Sequence, residues 1–234
     1  FSTEEDFKGD RGQKAYSDKT KGAEFVEYLR RRLIVARELL ADDGSIYVHL
    51  DEKKSHYIKM IMDELFTFQR EIIWRIGWVS GYKTKAKNWI RNHDVILFYT
   101  KSDEFVFNKE YIPYPDDYVR RDGKKPEGKG MAIEDTWNCN ETDQMHSIQI
   151  MSFSDEKTGY PTQKNENVIA RIIKAATNPG DIVMDFFCGS GTTLAVAHKL
   201  DRRWIGCDIG KLAIYTAQKR LLELDKSKSI ENTD

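Results

Sequence analysis

No apolar run in this sequence approaches the ~20 residues that a membrane-spanning helix needs, and no secretory leader pattern is visible. No membrane partner is expected. Cysteine is scarce: Cys139, Cys188 and Cys207 are odd in number and lack metal-ligand spacing. That argues against a disulfide framework and a zinc module, and points to reduced thiols in a cytoplasmic protein with no metal. Excess charge is lacking too, since 37 Lys+Arg against 38 Asp+Glu leave a net charge of −1. A nucleic-acid partner must therefore be argued from local patches rather than from global charge. There is no internal repeat. With 234 residues, 40% of them hydrophobic and 32% charged, the chain fits one large globular domain, or one carrying an inserted subdomain.

What is present is concentrated between Asp181 and Thr193. Ile182, Val183 and Met184 form the short apolar run of a covered parallel strand. Gly189 and Gly191 allow a sharp turn and close approach of a ligand. From Thr192, residues Leu194, Ala195, Ala197 and Leu200 predict a helix whose first free N–H groups point back at the turn. A phosphate loop would need Gly-Lys-Ser/Thr, but Thr192 and Thr193 follow the second glycine. A dinucleotide fingerprint would need a third glycine, where Leu194 stands. Asp185 would repel a pyrophosphate. It suits a ligand with a cationic amino-acid end and no phosphate, such as S-adenosylmethionine. Arg203 to Cys207 reads as the next strand. Asp208 after it is placed to accept hydrogen bonds from ribose hydroxyls. The plain alternative is a strand–turn–helix corner without a ligand.

Upstream, Gly22 to Leu40 predicts an amphipathic helix with Phe25, Leu29, Leu33, Ala36 and Leu40 inward. Gly44 is expected as its C-terminal cap. Ser45 to Leu50 predicts a buried strand, Ser55 to Phe66 a helix, and Glu71 to Arg75 and Asp94 to Tyr99 a long hairpin. His49 and Asp51 invite an acid–base reading, but a satisfied strand histidine is preferred. The stretch from Gly81 to Arg91 holds Lys83, Lys85, Lys87 and Arg91, with Trp89 and no acid. Such a loop can neutralise phosphates and stack on a base. From Asp103 to Phe153 prolines and glycines break regular structure, and Arg120, Arg121, Lys124 and Lys125 form a second basic cluster. Trp137 is left undecided between core and stacking platform. Glu166 to Thr177 and Lys211 to Leu224 predict the remaining helices.

Asp185-Phe186-Phe187-Cys188-Gly189-Ser190-Gly191-Thr192-Thr193 resembles the cofactor loop of the amino-group DNA methyltransferases. Thr158 to Lys164 resembles the motif that precedes that loop in the permuted, beta-type members. Asn92-His93-Asp94 matches another recurrent element. The resemblance covers most of the chain. It implies an α/β fold, a Rossmann-like methyltransferase sheet, mostly parallel with an antiparallel edge hairpin. It implies a catalytic domain over residues 1–102 and 154–225, an inserted target-recognition region over 103–153, and a polar tail over 226–234.

By the same resemblance, Thr162, Gln163, Lys164, Asp185, Phe186, Phe187, Cys188, Gly189, Ser190, Gly191 and Thr192 hold the methionine end of S-adenosylmethionine, and Asp208 its ribose. The catalytic Asp-Pro-Pro-aromatic motif is expected immediately before Phe1, with Phe1 a candidate base-stacking aromatic. The family also has more residues between Leu65 and Gln69 than stand here. The implied reaction is methyl transfer to an exocyclic amine in double-stranded DNA, favouring adenine N6 over cytosine N4, on a base flipped out of the duplex. A restriction–modification context follows, with a restriction subunit, a complementing chain or a homodimer as candidate partners. The alternatives are a cofactor- and DNA-binding subunit that needs a partner, and a nicotinamide oxidoreductase, which Asp185 and Leu194 disfavour.

Overall fold

The computed structural model describes residues 6–8, 14–17, 22–77, 85, 87–140, 150 and 154–224. Strands β1 (Asp6–Lys8) and β2 (Lys14–Ser17) pair antiparallel. Then come α1 (Gly22–Leu39), β3 (Ser45–Leu50), α2 (Ser55–Leu65), β4 (Thr67–Arg75) and β5 (His93–Thr100). Three short strands follow, β6 (Tyr111–Ile112), β7 (Met131–Ala132) and β8 (Thr136–Trp137). The last third alternates as α3 (Glu166–Ala176), β9 (Ile182–Asp185), α4 (Thr192–Lys199), β10 (Arg203–Gly206) and α5 (Lys211–Leu222).

β5 lies inside a four-stranded sheet ordered β3-β5-β4-β8 and is buried from Asp94 to Thr100. The period of two sends its residues into two different cores. Val95, Leu97 and Tyr99 pack with Leu33 of α1 and with Ile58 and Met62 of α2. Ile96 and Phe98 pack with Ile72 and Trp74 of β4, Trp137 of β8 and Val168 of α3. Burying each such side chain contributes roughly 1.5–3 kcal/mol. Trp137 is thereby placed in the core, with its indole N–H donating to the Glu134 carbonyl at 2.9 Å.

The second sheet is the parallel pair β9–β10, in register from Ile182↔Arg203 to Asp185↔Gly206. Parallel pairing is thus carried by β9–β10 and the short β4–β8 contact, and antiparallel pairing by β3–β5–β4. Helix α3 joins the two sheets. Val168 belongs to the β4–β5 core, while Ala170 and Ile173 pack with Val196, Ala197 and Leu200 of α4, and Val183 of β9 lies against them. Among the described residues β3 pairs only with β5, and β9 only with β10, so each has one edge without a strand partner.

Two local expectations change. Gly44 is not a left-handed helix cap: α1 stops at Leu39 and Gly44 has no positive φ. Glycine is required there for space, because a Cβ would lie 2.7 Å from the Leu40 side chain and 2.9 Å from the Ala41 carbonyl oxygen. β4 starts at Thr67 rather than Glu71, directly after Phe66 ends α2. A bulge between Phe68 and Arg70 absorbs the extra length while pairing with β5 continues.

Candidate functional site

The parallel register brings Asp185 and Asp208 together at the carboxyl ends of β9 and β10, where open α/β sheets bind ligands. The two chains stay linked beyond the strands, since Cys207 N–H donates to the Asp185 carbonyl at 2.9 Å and Cys188 N–H to the Cys207 carbonyl at 3.0 Å. Both carboxylates shape the turn between them. Asp185 accepts the Phe187 N–H at 3.0 Å and the Thr193 hydroxyl at 2.6 Å. Asp208 accepts the Gly189 N–H at 2.9 Å and the Gly210 N–H at 2.8 Å. Burial raises the Asp185 carboxyl pKa above the ordinary value, the two hydrogen bonds oppose this, and the neighbouring Asp208 adds to it. Thr193 was not singled out by motif reasoning. Its position in the first turn of α4, directly after the glycine turn, is the signal that could have found it.

The glycines are needed for different reasons. Gly189 has φ +48° and lies under the buried Tyr160, whose ring carbon would be 3.2 Å from an added Cβ. Gly191 has φ +76° and packs on α5, where a Cβ would meet the Ala217 Cβ at 2.8 Å. The turn is therefore pressed between the segment around Tyr160 and helix α5. Cys188 is buried, and its thiol is pushed up to about 12 by burial, then by Asp185 and Asp208. It is a packing residue and no nucleophile at neutral pH.

The segment from Thr158 to Lys164 forms the other wall. Gln163 organises it from within: its carbonyl oxygen accepts the Thr158 N–H at 2.9 Å and hydroxyl at 2.6 Å, and its amide donates to the Glu156 carbonyl at 2.6 Å. Thr162 holds φ +64°, a left-handed conformation that costs a β-branched residue on the order of 1–3 kcal/mol. Lys164 donates to the Thr162 carbonyl at 2.9 Å, and burial pulls its ammonium down to about 8. The Thr192 hydroxyl reaches the Lys164 carbonyl at 3.3 Å, which joins this wall to the start of α4. Phe186 and Phe187 form an edge-to-face pair at 5.4 Å, and Phe187 also meets Tyr28 of α1 at 6.4 Å.

His49 lies next to the end of β3 in the same neighbourhood. Its Nε2–H donates to Asp94 at 3.1 Å, and burial, followed by the nearby Lys164 and Arg91 charges, holds its pKa well below the usual value. A neutral, partnered histidine agrees with the structural reading preferred from sequence. Arg91 is paired with Glu52 and Asp94, so it ties the basic loop to the sheet edge. Lys85, Lys87 and Trp89 are exposed, and Trp89 is 99% accessible. Phe1 and Lys83 lie outside the described residues.

The second basic cluster is a tight turn. Gly123 N–H donates to the Arg120 carbonyl at 2.8 Å and Arg120 N–H to the Lys124 carbonyl at 3.0 Å, leaving Arg120, Arg121, Lys124 and Lys125 exposed. Arg120 is partly screened by Asp122 at 3.2 Å. A polar cleft of about 250 Å³, lined by Arg75, Asn92, Asn138 and Asn140 among others, opens at the end of β4. Arg75 donates to Asn138 across it at 3.1 Å. These partners are far apart in sequence, and no local pattern announced them.

A family model described as DNA methylase matches residues 2–219. The chain belongs to the DNA methylase family. Relatives of this DNA methylase include the type II methyltransferase M.EcaI of Enterobacter cloacae, 30% identical over 285 residues, covering 94% of this chain and 62% of that protein. M.BglII of Bacillus subtilis is 33% identical over 174 residues, 74% of this chain and 48% of its own length. The chain thus spans about half to two thirds of these relatives. The DNA adenine methyltransferase YhdJ of Escherichia coli is 29% identical, covering 84% of this chain and 67% of its own. Among solved structures, an M1.HpyAVI–SAM complex superposes with TM-score 0.61 at 25% identity, covering 83% of this chain and 82% of that one. The cytosine-N4-specific PvuII DNA methyltransferase superposes with TM-score 0.63 at 16% identity over 84% and 70%, which supports the fold. No helix among the described residues is long and apolar enough to cross a membrane.

Proposed function

We propose that this DNA methylase transfers a methyl group from S-adenosylmethionine to an exocyclic amine in DNA, with adenine N6 the favoured target, inside a cytoplasmic restriction–modification system. The observation that carries the reading is the pairing of Asp185 and Asp208 across a turn whose two glycines are closed in by Tyr160 and Ala217. Without Cβ atoms the turn packs directly against both, which holds it at the strand ends beside the two acids. The donor set suits a ligand with an amino-acid end and a ribose and without phosphate. When bound, S-adenosylmethionine supplies an electrophilic methyl group. On this reading Lys164 meets the ligand's carboxylate, Asp185 helps to hold the rest of the methionine part, and Asp208 keeps acceptor capacity for ribose hydroxyls. The buried Cys188 thiol needs no role, because amine methylation requires orientation and not a covalent enzyme adduct.

DNA is held, on this reading, by the cations of two loops: Lys83 with the exposed Lys85 and Lys87 and with Trp89 as a stacking platform, and the exposed Arg120, Arg121, Lys124 and Lys125 in the recognition region. Among the described residues β3 and β9 each have one edge without a strand partner, and this, with α3 packed on both sheets, favours a second reading of the same site. A parallel strand added there, from a longer polypeptide or a partner chain, would complete the sheet. The chain alone would then bind cofactor without turning over.

Transfer of labelled methyl from S-adenosylmethionine to DNA, followed by nucleoside separation, tests both. Labelled N6-methyladenine is expected. N4-methylcytosine would overturn the base assignment only. Cofactor binding without any labelled nucleoside would select the complementing-chain reading, and no binding at all would sink the cofactor site.

A further inference from the structure

Behind the glycine turn lies a charge cluster that the cofactor reading leaves unused. Glu166 opens α3 with its side chain 14% exposed. Its carboxylate accepts Lys199 Nζ from α4 at 2.7 Å and Arg220 Nη2 from α5 at 2.8 Å. The Lys199 and Arg220 side chains are only 11% and 9% exposed. An acid at the start of α3 and cations in the last turns of α4 and α5 also suit the helix dipoles.

The two cations differ in what else they reach. Arg220 turns its other terminal nitrogen, Nη1, to the Thr192 hydroxyl at 2.9 Å. That hydroxyl lies 3.1 Å from the Ser190 hydroxyl and donates to the Lys164 carbonyl at 3.3 Å. Arg220 therefore ties α3 to the start of α4, and through Thr192 to the segment ending at Lys164. Those are the two walls of the candidate cofactor site. A guanidinium can do this because its planar fork holds two partners at a fixed angle, whereas an ammonium is a point charge on a flexible stem.

We propose that Arg220 is a positioning residue for cofactor binding: by holding Thr192 and Glu166 together it sets the spacing between the glycine turn and the Lys164 segment. This rests on the S-adenosylmethionine reading above. A purely structural ion cluster is the competing account, and Lys199 separates the two: both cations share Glu166, and Arg220 in addition holds the Thr192 hydroxyl at the start of α4.

The experiment is calorimetric binding of S-adenosylmethionine to the full chain and to Arg220→Met, Arg220→Lys, Lys199→Met, Thr192→Val and Thr192→Ser, with thermal unfolding of each. Loss of a charge-assisted hydrogen bond predicts about tenfold weaker binding for Arg220→Met and Arg220→Lys, measured below their melting temperatures. Thr192→Val falls similarly, Thr192→Ser, which keeps the hydroxyl that Arg220 holds, recovers most of that loss, and Lys199→Met melts lower yet binds within about twofold of wild type. Combining Arg220→Met with Thr192→Val adds little to either alone. Should Arg220→Met fail to fold, Arg220→Lys and Thr192→Val carry the decision. Equal weakening in Arg220→Met and Lys199→Met, or unchanged affinity in folded Arg220→Lys, overturns the positioning role while leaving the cofactor site intact. A wild-type chain that binds no S-adenosylmethionine overturns both.

Discussion

The four-stranded sheet and the parallel β9–β10 pair are built to different standards of closure. In the β3–β5–β4–β8 sheet, β5 is covered on both faces and Leu97 and Tyr99 are fully buried. In the β9–β10 pair, Ile182 is 53% and Ile205 47% exposed, and one edge of β9 has no strand partner among the described residues. The first sheet supplies the packing. The second carries the glycine turn and both acids of the candidate site, and it is held to the rest mainly through α3 and α4. Ligand-binding elements commonly come from the less stable part of a fold, and here the same division follows the chain from its middle to its last third.

The contrast can be broken most strongly in the core. Leu97→Ala should lower unfolding free energy by about 3 kcal/mol in a denaturant titration, because a fully buried site leaves a cavity. Met184→Ala, at a 38% exposed position of β9, should cost only about 0.5 kcal/mol. Amide exchange should show the same order, with β5 protected by global unfolding and β9 opening sooner. Similar losses from the two substitutions would mean the sheets are equally closed.

At the turn, Asp185→Ala removes acceptors of the Phe187 N–H and Thr193 hydroxyl. It should weaken S-adenosylmethionine binding by about a hundredfold while costing less than Leu97→Ala in stability. Gly191→Ala forces a side chain into φ +76° against Ala217. It should destabilise by about 1–2 kcal/mol, and the loss should appear as weakened cofactor binding before loss of fold.

The pH dependence follows from Lys164, whose proton leaves near 8 because burial disfavours the charged form. Below that pH the ammonium is present to meet a ligand carboxylate, and above it the charge is gone. Cofactor affinity should fall as pH rises through about 8, and the part due to Lys164 should vanish in Lys164→Arg, which stays charged. An identical profile in both proteins would remove Lys164 from the site. The smallest effect belongs to the exposed turn. Arg121→Ala or Lys124→Ala should reduce the salt slope of DNA binding by about one each, with no change in cofactor affinity.

Several features could be read without coordinates, because they repeat within one turn of helix or two residues of strand. The helices around Leu33, Ile58 and Val168 and the alternation of β5 are of this kind, and so is the corner at Gly189 and Gly191. Others depended on partners that no short-range pattern records. Trp137 was ambiguous until β8 was seen beside Trp74. The engagement of Gln163 with Thr158 and Glu156 could not be read from the motif. Nor could the pairing of Arg91 with Glu52 and Asp94.

The sequence by itself determined the five helices, the strands β3, β5, β9 and β10, the parallel corner with its two acids, and the family resemblance, since each is written in residues close together along the chain. Only the tertiary structure decided the short strands β1, β2, β6, β7 and β8, which strand edges lack a partner among the described residues, and that Arg220, 28 residues from Thr192 and 54 from Glu166, binds both. Burial and ion pairing depend on distances in space. When helices α3, α4 and α5 converge from separate stretches of chain, those distances are set by packing and not by order in the sequence.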